Sequence, residues 1–341
     1  MKIAIVILNW NGLKHLKEFL PSVLKHSGKN PIYIIDNYST DSSVEFVKET
    51  YPEIKLILNN DNFGYAKGYN EGLKKVKEEI YCLLNNDVEV TKDWLNPIIE
   101  EFTNNESVVI AQPKILDYKI KNKFEYAGAA GGFIDYFGYP YCRGRIFSNI
   151  EKDNGQYDQN IDIFWASGAC FFIRKNTYEL LNGFDENFIN HMEEIDLCWR
   201  LTNLNLNLKK RFLYKSVVFH LGGGSLNYEN PKKLFYNIRN QRWMIIKNMN
   251  LLNNFSPTIY VVQCINLFLG LYYLIINKTN HFKEIYNAMF QSSIIINKKR
   301  VKISKSYRMT ISNEIKPKHF AIKSILYQYI IRARKKYSDL T

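Results

Sequence analysis

Residues 3–8 read IAIVIL, an apolar run rich in β-branched side chains, and the polar residues NWN follow it at 9–11. Similar runs recur at 32–35, 54–58 and 80–84, with helically spaced apolar residues between them. Continuous apolar runs of this length indicate strands that are buried on both faces. Because strands alternate with helices, the sequence predicts an α/β fold built on a parallel sheet with right-handed crossovers.

This alternation stops after residue 112. Residues 113–163 contain glycines interleaved with aromatic residues, which predicts loops and short packed strands instead of a solvated linker. Regular patterns return in an apolar run at 169–173, a helix from Asn176, a helix around 190–203 and a mixed run at 208–219. We therefore expect three parts, with boundaries at 1–112, 113–250 and 251–341.

The composition is that of a folded protein whose basic charge is concentrated at one end. Of the 341 residues, 46% are hydrophobic, and the net charge is +13. Residues 277–341 hold 15 Lys and Arg against 3 acids, so nearly all of that charge lies in the tail. The tail is therefore expected to meet an anionic partner, either a membrane face or nucleic acid. Five separated cysteines without CxxC spacing, and no leader before Ile3, predict a reduced, cytosolic protein.

Polar residues follow each of the four predicted strands: Asn9, then Asp36 and Asn37, then Asn59, then 85–87 (NND). In an open parallel sheet, ligands bind at the carboxyl ends of the strands, so we expect these side chains to converge. One Asn or Asp after a strand is ordinary turn chemistry, but four such clusters indicate a binding site. The motif NWNG after the first strand is neither a phosphate loop nor a dinucleotide fingerprint.

Two neighbouring features suit a diphosphate ligand. Asp87, placed directly after a buried strand, can coordinate a divalent cation that bridges phosphates. Gly64 and Gly68 lie at the start of the helix after the third strand, where backbone can approach a ligand closely. Lys67 between them is interpreted as part of an ordinary glycine-rich helix start.

The segment HMEEIDLCWR at 191–200 is the candidate for acid–base chemistry. Glu193, Glu194 and Asp196 fall within one helical turn, and close carboxylates raise one another's proton affinity, as a general base requires. Asp196 is expected to pair with Arg200 four residues later, so Glu194 is the favoured base. His220, just before the glycines at 222–224, is either a buried core histidine or a ligand.

Seven motifs occur in order along the chain: VILNWNG (6–12), IIDNYSTDSS (34–43), NNDNFGYAKGYNEG (59–72), LLNNDVEV (83–90), WASGACFFIRK (165–175), GFDENFINHMEEIDLCWR (183–200) and VFHLGGGS (218–225). This series resembles the family 2 glycosyltransferases. Within that family it is most similar to the bacterial rhamnosyltransferase-like enzymes of surface polysaccharide assembly. The resemblance covers about residues 1–250.

The resemblance implies the glycosyltransferase A fold: a mostly parallel Rossmann-like sheet with an acceptor-side subregion and a helical C-terminal extension. It implies inverting transfer of a sugar, with rhamnose as a candidate, from a nucleoside diphosphate sugar. The acceptor would be a growing polysaccharide or another glycan, expected to be lipid-linked. Residues 1–112 would bind the nucleotide sugar, 113–250 would bind the acceptor and supply the base, and 251–341 would associate with a membrane.

The resemblance also implies roles for individual residues. Asp36 would contact the base of the donor, and Asp87 would be the second acid of a DXD motif in which Asn85 replaces the first. His220 would complete the shell of a Mg²⁺ or Mn²⁺ ion, and Glu194 would be the catalytic base, where the family usually has Asp. The expected donor-binding residues are Asn9, Asp36, Asn37, Asn59, Gly64, Asn85, Asn86 and Asp87, and the expected acceptor-binding residues are Trp165, Ser167, Gly168 and Glu193.

The stretch 258–276 is uncharged over 19 positions, close to the roughly 20 that cross a bilayer. A crossing would put the basic tail and the catalytic part on opposite sides, against the positive-inside preference, so we expect an interfacial or buried helix. Further on, an apolar stripe beside Lys323, Arg332 and Arg334 predicts an amphipathic helix on anionic lipid, formed by Phe320, Ile322, Ile325, Leu326, Tyr329 and Ile330. We therefore expect a peripheral protein on the inner face of the cell membrane.

Two other functions fit parts of the sequence. A nucleotidyltransferase shares the sheet and a carboxylate metal site, but it needs a glycine-rich, basic phosphate loop where this chain has NWNG. A non-catalytic nucleic-acid-binding protein would use the basic tail alone. The body lacks an aromatic and basic groove pattern, so nucleic acid is not an expected partner.

Overall fold

The computed structural model of the chain describes residues 1–204, 207–222, 230–249, 257–291 and 322–340. Within these ranges, nine strands form a central sheet and four form a smaller one. In chain order the strands are β1 (Ile3–Asn9), β2 (Ile32–Asp36), β3 (Lys55–Leu58), β4 (Ile80–Asn85), β5 (Val88–Val90), β6 (Val108–Asp117), β7 (Gly132–Ile134), β8 (Pro140–Cys142), β9 (Arg145–Ile146), β10 (Asn149–Ile150), β11 (Ile161–Asp162), β12 (Cys170–Arg174) and β13 (Lys209–His220).

The helices of the described ranges connect these strands and continue after the last one. They are α1 (Leu13–His26), α2 (Ser43–Thr50), α3 (Gly64–Leu73), α4 (Asn96–Asn104), α5 (Lys175–Leu180), α6 (Glu193–Asn203), α7 (Pro231–Asn248), α8 (Pro257–Ile275), α9 (279–291) and α10 (Ile325–Ile330). The predicted helices at 176 and 190–203 correspond to α5 and α6.

The N-terminal half of the central sheet is parallel, as predicted. Strands β4, β1, β2 and β3 lie side by side in that order, and Ile7 of β1 pairs with both Ile34 of β2 and Leu84 of β4. These three side chains are buried in one apolar cluster, and the alternate residues Val6 and Leu83 are buried in another. The sheet is therefore covered on both faces. The four apolar runs seen in the sequence are therefore the four parallel strands.

The other half of the sheet is mixed. Strand β12 runs antiparallel to both β4 and β6, β13 runs parallel to β6, and β5 and β11 pair antiparallel with β13. The sequence reading missed β6 because Gln112, Pro113 and Lys114 interrupt its apolar run. Gln112 and Lys114 are buried but satisfied: Gln112 Nε2 donates to the Gly128 carbonyl, and Lys114 Nζ lies 2.7 Å from Asp153 Oδ2.

The region 113–163 folds into short strands, as expected, and the end of the chain packs on them. Strands β7–β10 form the small antiparallel sheet. Ile322 and Ile325 are buried against Tyr141 and Ile146 of this sheet. Asp135 is fully buried, accepts a hydrogen bond from the Ile325 amide over 2.8 Å, and has its pKa raised by burial to about 7.

This packing corrects one detail of the predicted lipid-facing stripe. Ile322 and Ile325 face protein because the small sheet offers them an apolar surface, and Tyr329 packs in the same cluster. Ile330 remains 66% exposed, and Phe320 lies outside the described residues. Among the described residues of the stripe, those at 325–330 form the short helix α10.

Helix α8 is the candidate membrane helix of the sequence. Of the described helices, it alone is long and apolar enough to cross a membrane by length and composition. It is neither fully buried nor isolated: Ile259 and Val262 pack in a cluster with Ile245 of α7, whereas Phe268 and Ile275 are 71% and 79% exposed. One side of α8 therefore contacts protein and another presents large apolar side chains.

Candidate active site

The polar residues at the ends of β1–β4 come together at one edge of the sheet. Asn86 Nδ2 donates to Asn9 Oδ1 over 3.0 Å, and Asn9 Nδ2 donates to Asp36 Oδ1 over 3.3 Å. A second pair is formed by Asn59 Nδ2 and Asn37 Oδ1, 3.0 Å apart. All four strand ends are thus part of hydrogen-bonded pairs that lie side by side.

Three of these side chains are buried inside the edge of the sheet. Asn9, Asp36 and Asn37 are at most 3% exposed, and Asp36 Oδ2 accepts a hydrogen bond from the Ser39 amide over 2.9 Å. A Cβ on Gly12 would lie 2.3 Å from Asn9 Oδ1, which explains the glycine of NWNG. The predicted donor-binding residues are therefore placed together, with these three holding the loops on which a ligand would lie.

His220 lies between two carboxylates at this edge. Its Nε2 is 3.1 Å from Asp87 Oδ1, and its Nδ1 is 3.2 Å from Glu125 Oε2. Burial alone would lower the pKa of His220 and raise that of Asp87, but their mutual attraction outweighs it. The pKa of His220 is held well above its usual value, with Glu125 contributing, and the pKa of Asp87 is lowered. His220 is thus buried and paired, and it faces the residue with which it was predicted to bind a metal.

One carboxylate oxygen and one imidazole nitrogen at this point could bind a divalent cation. Asp87 Oδ1 and His220 Nε2 lie 3.1 Å apart, and the side-chain Nδ2 of Asn85 is 3.4 Å from the same nitrogen. No cluster of three or more His, Cys, Asp or Glu that could hold a metal occurs in the described part of the chain. The residues therefore fit a cation held by two protein ligands, with its other positions free for phosphate oxygens.

Glu193, which is buried, and Glu194, which is partly buried, form the first turn of α6, and neither carboxyl is fully hydrogen-bonded. Among the described residues, Oε2 of each has no hydrogen-bond partner. Burial raises the pKa of Glu194, partly offset by nearby backbone amides including that of Gly168. Burial, followed by the charge of Glu194, holds the pKa of Glu193 well above its usual range. Both carboxyls therefore have the raised proton affinity that the sequence predicted, with burial as the larger cause.

Asp196, by contrast, is fully engaged. Its Oδ2 lies 2.8 Å from Arg200 Nε, which confirms the predicted ion pair, and 2.8 Å from Lys247 Nζ. Its Oδ1 accepts a hydrogen bond from Asn248 over 2.8 Å. Asp196 is thus a structural residue that joins α6 to α7.

The two clusters of candidate residues are adjacent. The backbone amide of Asn85, at the end of β4, donates to the Ala169 carbonyl over 2.9 Å. A Cβ on Gly168, the residue before Ala169, would lie 3.6 Å from Glu194 Oε1. Tyr65 at the start of α3 donates to the Gly168 carbonyl over 2.8 Å. Gly168 therefore connects the polar strand ends to the buried carboxyl of Glu194.

Two other predicted acceptor residues, Trp165 and Ser167, are buried. Trp165 is 2% exposed, and its Nε1 donates to the Phe133 carbonyl over 2.8 Å. Ser167 is 1% exposed, and its amide donates to Gln112 Oε1 over 2.8 Å. Both residues are therefore engaged with other parts of the protein, whereas Gly168 is partly exposed.

Glu125 and Tyr65 were missed as site residues in the sequence. Glu125 follows β6 in a region without regular pattern, and only folding brings it to His220, so no local signal marks it. Tyr65 lies within the glycine-rich motif at 59–72, but its hydroxyl contact with Gly168 joins residues 103 positions apart. Contacts of that separation leave no periodic signature in a single sequence.

Comparison with known proteins identifies the family. The profile described as "Glycosyl transferase family 2" matches residues 4–181. The chain belongs to this family. It is a glycosyltransferase, similar to rhamnosyltransferases of polysaccharide assembly. Family membership decides against a nucleotidyltransferase and against a non-catalytic protein.

Two relatives and one solved structure illustrate the match. This glycosyltransferase is 22% identical over 231 residues to N-acetylglucosaminyl-diphospho-decaprenol L-rhamnosyltransferase of Mycobacterium tuberculosis, covering 58% of the chain and 70% of the relative. It is 24% identical to the low-salt glycan biosynthesis hexosyltransferase Agl10 of Haloferax volcanii, covering 60% and 63%. A structure of GalNAc-T7 with UDP, GalNAc and Mn²⁺ aligns with a TM-score of 0.54 at 16% identity, covering 76% of this chain and 52% of that one. The structural likeness bears out the predicted glycosyltransferase A fold.

Proposed function

We propose that this glycosyltransferase transfers a sugar, with inversion, from a nucleoside diphosphate sugar to a lipid-linked glycan acceptor. The observation that carries the proposal is the position of Glu194, whose buried carboxyl lies beside Gly168, next to the strand end that holds Asn85 and Asp87. A base next to a diphosphate site is the arrangement that a single displacement requires. The rhamnosyltransferase of M. tuberculosis named above supports rhamnose as the sugar and a polyprenyl diphosphate glycan as the acceptor.

The donor side supplies binding and charge. The loops held by Asn9, Asp36 and Asn37 would receive the nucleotide, and the start of α3 at Gly64 would approach it with backbone amides. Asp87 and His220 would hold Mg²⁺ or Mn²⁺, and this cation would neutralise charge on the diphosphate. GalNAc-T7, crystallised with UDP and Mn²⁺, supports a divalent cation in this fold.

The acceptor side supplies the base. The oxygen of the acceptor hydroxyl attacks the anomeric carbon from the face opposite the diphosphate, and its proton passes to a carboxylate oxygen of Glu194. The bond from the anomeric carbon to the diphosphate oxygen breaks, and the nucleoside diphosphate leaves. One direct displacement inverts the anomeric carbon. The raised pKa of Glu194 makes its carboxylate a stronger base than an exposed one.

The location proposed is the inner face of the cell membrane, where a lipid-linked acceptor would be presented. Exposed apolar side chains of α8, with Phe268 and Ile275 the most exposed, supply an apolar contact. The 15 Lys and Arg of residues 277–341 supply attraction to anionic lipid. Together they support peripheral association by this C-terminal part.

A donor screen tests the proposed reaction. The purified chain is incubated with a panel of nucleoside diphosphate sugars, with Mg²⁺, with Mn²⁺ or with excess chelator, and release of nucleoside diphosphate is measured. We expect one donor to be hydrolysed slowly without acceptor and only with metal. NMR of the product made with a glycan-diphosphate-lipid acceptor should show the anomeric configuration opposite to that of the donor. A retained configuration, or equal hydrolysis in chelator, would contradict the proposal.

A further inference from the structure

The loop that leads into the proposed base has an unusual backbone. Residues 187–192, named here the base loop, lie between α5 and α6 and lead directly into the first turn of α6. Three of them, Ile189, His191 and Met192, have φ angles of 62°, 71° and 71°. Residues other than glycine rarely adopt this left-handed region, and a β-branched residue such as isoleucine does so least readily. Such a backbone persists only where its surroundings hold it.

The last residue of the base loop does not cap α6 through its side chain. Met192 is the N-cap residue, and its side chain makes no capping hydrogen bond. A usual cap at this position would be Ser, Thr, Asp or Asn. The backbone one residue before Glu193 and two before Glu194 is therefore fixed from elsewhere in the molecule.

Two adjacent residues of α7 hold the base loop by its carbonyl groups. The Asn240 side-chain amide lies 3.0 Å from the Phe188 carbonyl oxygen and 2.8 Å from those of Asn190 and His191. Arg239 Nη2 donates to the Asn187 and Phe188 carbonyls over 3.1 and 3.0 Å. Asn240 is 1% exposed and Arg239 is 5% exposed, so these bonds are shielded from water.

Arg239 orients the side chain of Asn240, and ion pairs of Lys247 anchor helix α7. Asn240 Oδ1 accepts a hydrogen bond from Arg239 Nε over 2.9 Å, which fixes the amide with its donors toward the loop. Lys247, two turns later on α7, lies 2.8 Å from both Asp185 and Asp196, on either side of the base loop in the sequence. Helix α7 is thus tied to the segment before the loop and to the helix after it.

The other side of the base loop touches the proposed donor site. The Tyr65 amide at the start of α3 donates to the Ile189 carbonyl over 3.1 Å. A Cβ on Gly64 would lie 3.1 Å from the same carbonyl oxygen, so the loop packs closely on this helix start. A shift of the base loop would therefore move Glu194 relative to the donor.

We propose that Asn240 is a positioning residue for the transfer reaction, which holds the strained base loop so that Glu194 faces the acceptor hydroxyl. The inference rests on the proposed role of Glu194 as base. Asn240 would touch neither substrate; it would act through the carbonyls of residues 188, 190 and 191. An error of about 1 Å in a catalytic group can lower a rate by about 100-fold, so loss of the clamp should be visible in turnover.

The test compares Asn240→Ala with Gln241→Ala. Gln241 is the next residue of α7, is 4% exposed, and bonds the Gly138 carbonyl instead of the base loop. In Asn240→Ala we expect kcat to fall at least about 10-fold while donor affinity stays within about twofold of the wild type. Hydrogen exchange of the amides of residues 188–194 should become faster. In Gln241→Ala, kcat, donor affinity and the exchange of these amides should all stay as in the wild type. If Asn240→Ala does not fold, Arg239→Lys removes the bonds to Asn187 and Phe188, retains the charge, and should give the same effects in milder form.

Three outcomes would overturn the proposal: unchanged exchange of the base loop in the folded variant, an unchanged kcat, or a loss of donor affinity that accounts for the whole effect. Glu194→Gln, measured alongside, separates this inference from the proposed function. If Glu194→Gln keeps its activity, the base is wrong, and the exchange data still decide whether Asn240 holds the loop. If Glu194→Gln is inactive and the loop of Asn240→Ala exchanges normally, only the clamp is wrong.

Discussion

Asp87 and His220 are paired through the atoms by which they would hold a cation. Both groups are buried, so their mutual attraction partly offsets the free energy that burial of each charge costs. Glu125 contacts the other ring nitrogen of His220 and orients the imidazole toward Asp87. Carboxylates in this position behind a histidine ligand usually strengthen metal binding.

Asp87→Asn tests the proposed cation site at the scale of one residue. The amide keeps the size of the side chain but removes the charge that a divalent cation needs, so affinity for Mn²⁺ should fall by at least about 10-fold, and metal-dependent donor binding should fall with it. Titration calorimetry with Mn²⁺ and with donor measures both. The control is Asp93→Asn, the same change at an exposed position. Equal Mn²⁺ affinity in both variants would show that Asp87 is not a ligand.

Single residues differ in how far the sequence reveals them. Asp87 and Glu194 lie in motifs whose neighbours already suggest their chemistry, and the structure places them near one another through Gly168. Glu125 and Asn240 carry no such mark. Each acts on a group more than 45 positions away in the chain, and a lone Glu or Asn in a loop or helix is ordinary. Their roles follow only from packing.

Among the strands, too, the sequence reveals some and hides others. β1 to β4 are continuous apolar runs because helices cover both of their faces, so their sequence alone identifies them. β6 is equally buried, but its Gln112 and Lys114 are satisfied by partners from distant segments, and Pro113 interrupts the pattern. A strand stabilised by such distant polar partners is not visible in local hydrophobicity.

Helix α8 provides a prediction about membrane association. Replacing its two most exposed apolar side chains, in Phe268→Glu/Ile275→Glu, should reduce co-flotation with vesicles of anionic phospholipid because the apolar contact is lost. The control is Leu58→Glu/Leu180→Glu, which adds the same charge at exposed positions on β3 and α5. The remaining binding should weaken in high salt, since it depends on the basic residues. Equal flotation of the two double variants would mean that α8 is not the contact surface.

The C-terminal segment packs on the small sheet and is part of the folded core. Ile322 and Ile325 pack on the small sheet, and the Ile325 amide is bonded to buried Asp135. Deleting everything after residue 250 would therefore uncover part of the core as well as remove the basic tail. Substitutions on the surface of α8 separate these effects, whereas a truncation does not.

At the scale of the whole molecule, the central sheet brings two halves of the chain to one site. The parallel half ends in the polar residues of β1–β4, and β12 joins β4 from the other half, which places Gly168 and Glu194 beside them. The order of motifs in the sequence predicted both halves. Their junction through β12 depends on the pairing of strands more than 80 residues apart, which a single sequence does not display.

The kinetics of Glu194→Gln, with Glu193→Gln as the matched control, test the central claim most directly. The amide removes the base but keeps the shape of the site, so kcat should fall by about 10²–10⁴-fold with donor affinity nearly unchanged, and Glu193→Gln should be milder. In the wild type, burial raises the pKa of Glu194, so activity should fall with decreasing pH already above the usual range of a glutamate. A Glu194→Gln enzyme with wild-type kcat, or a severe loss in Glu193→Gln alone, would contradict Glu194 as the base of this transfer.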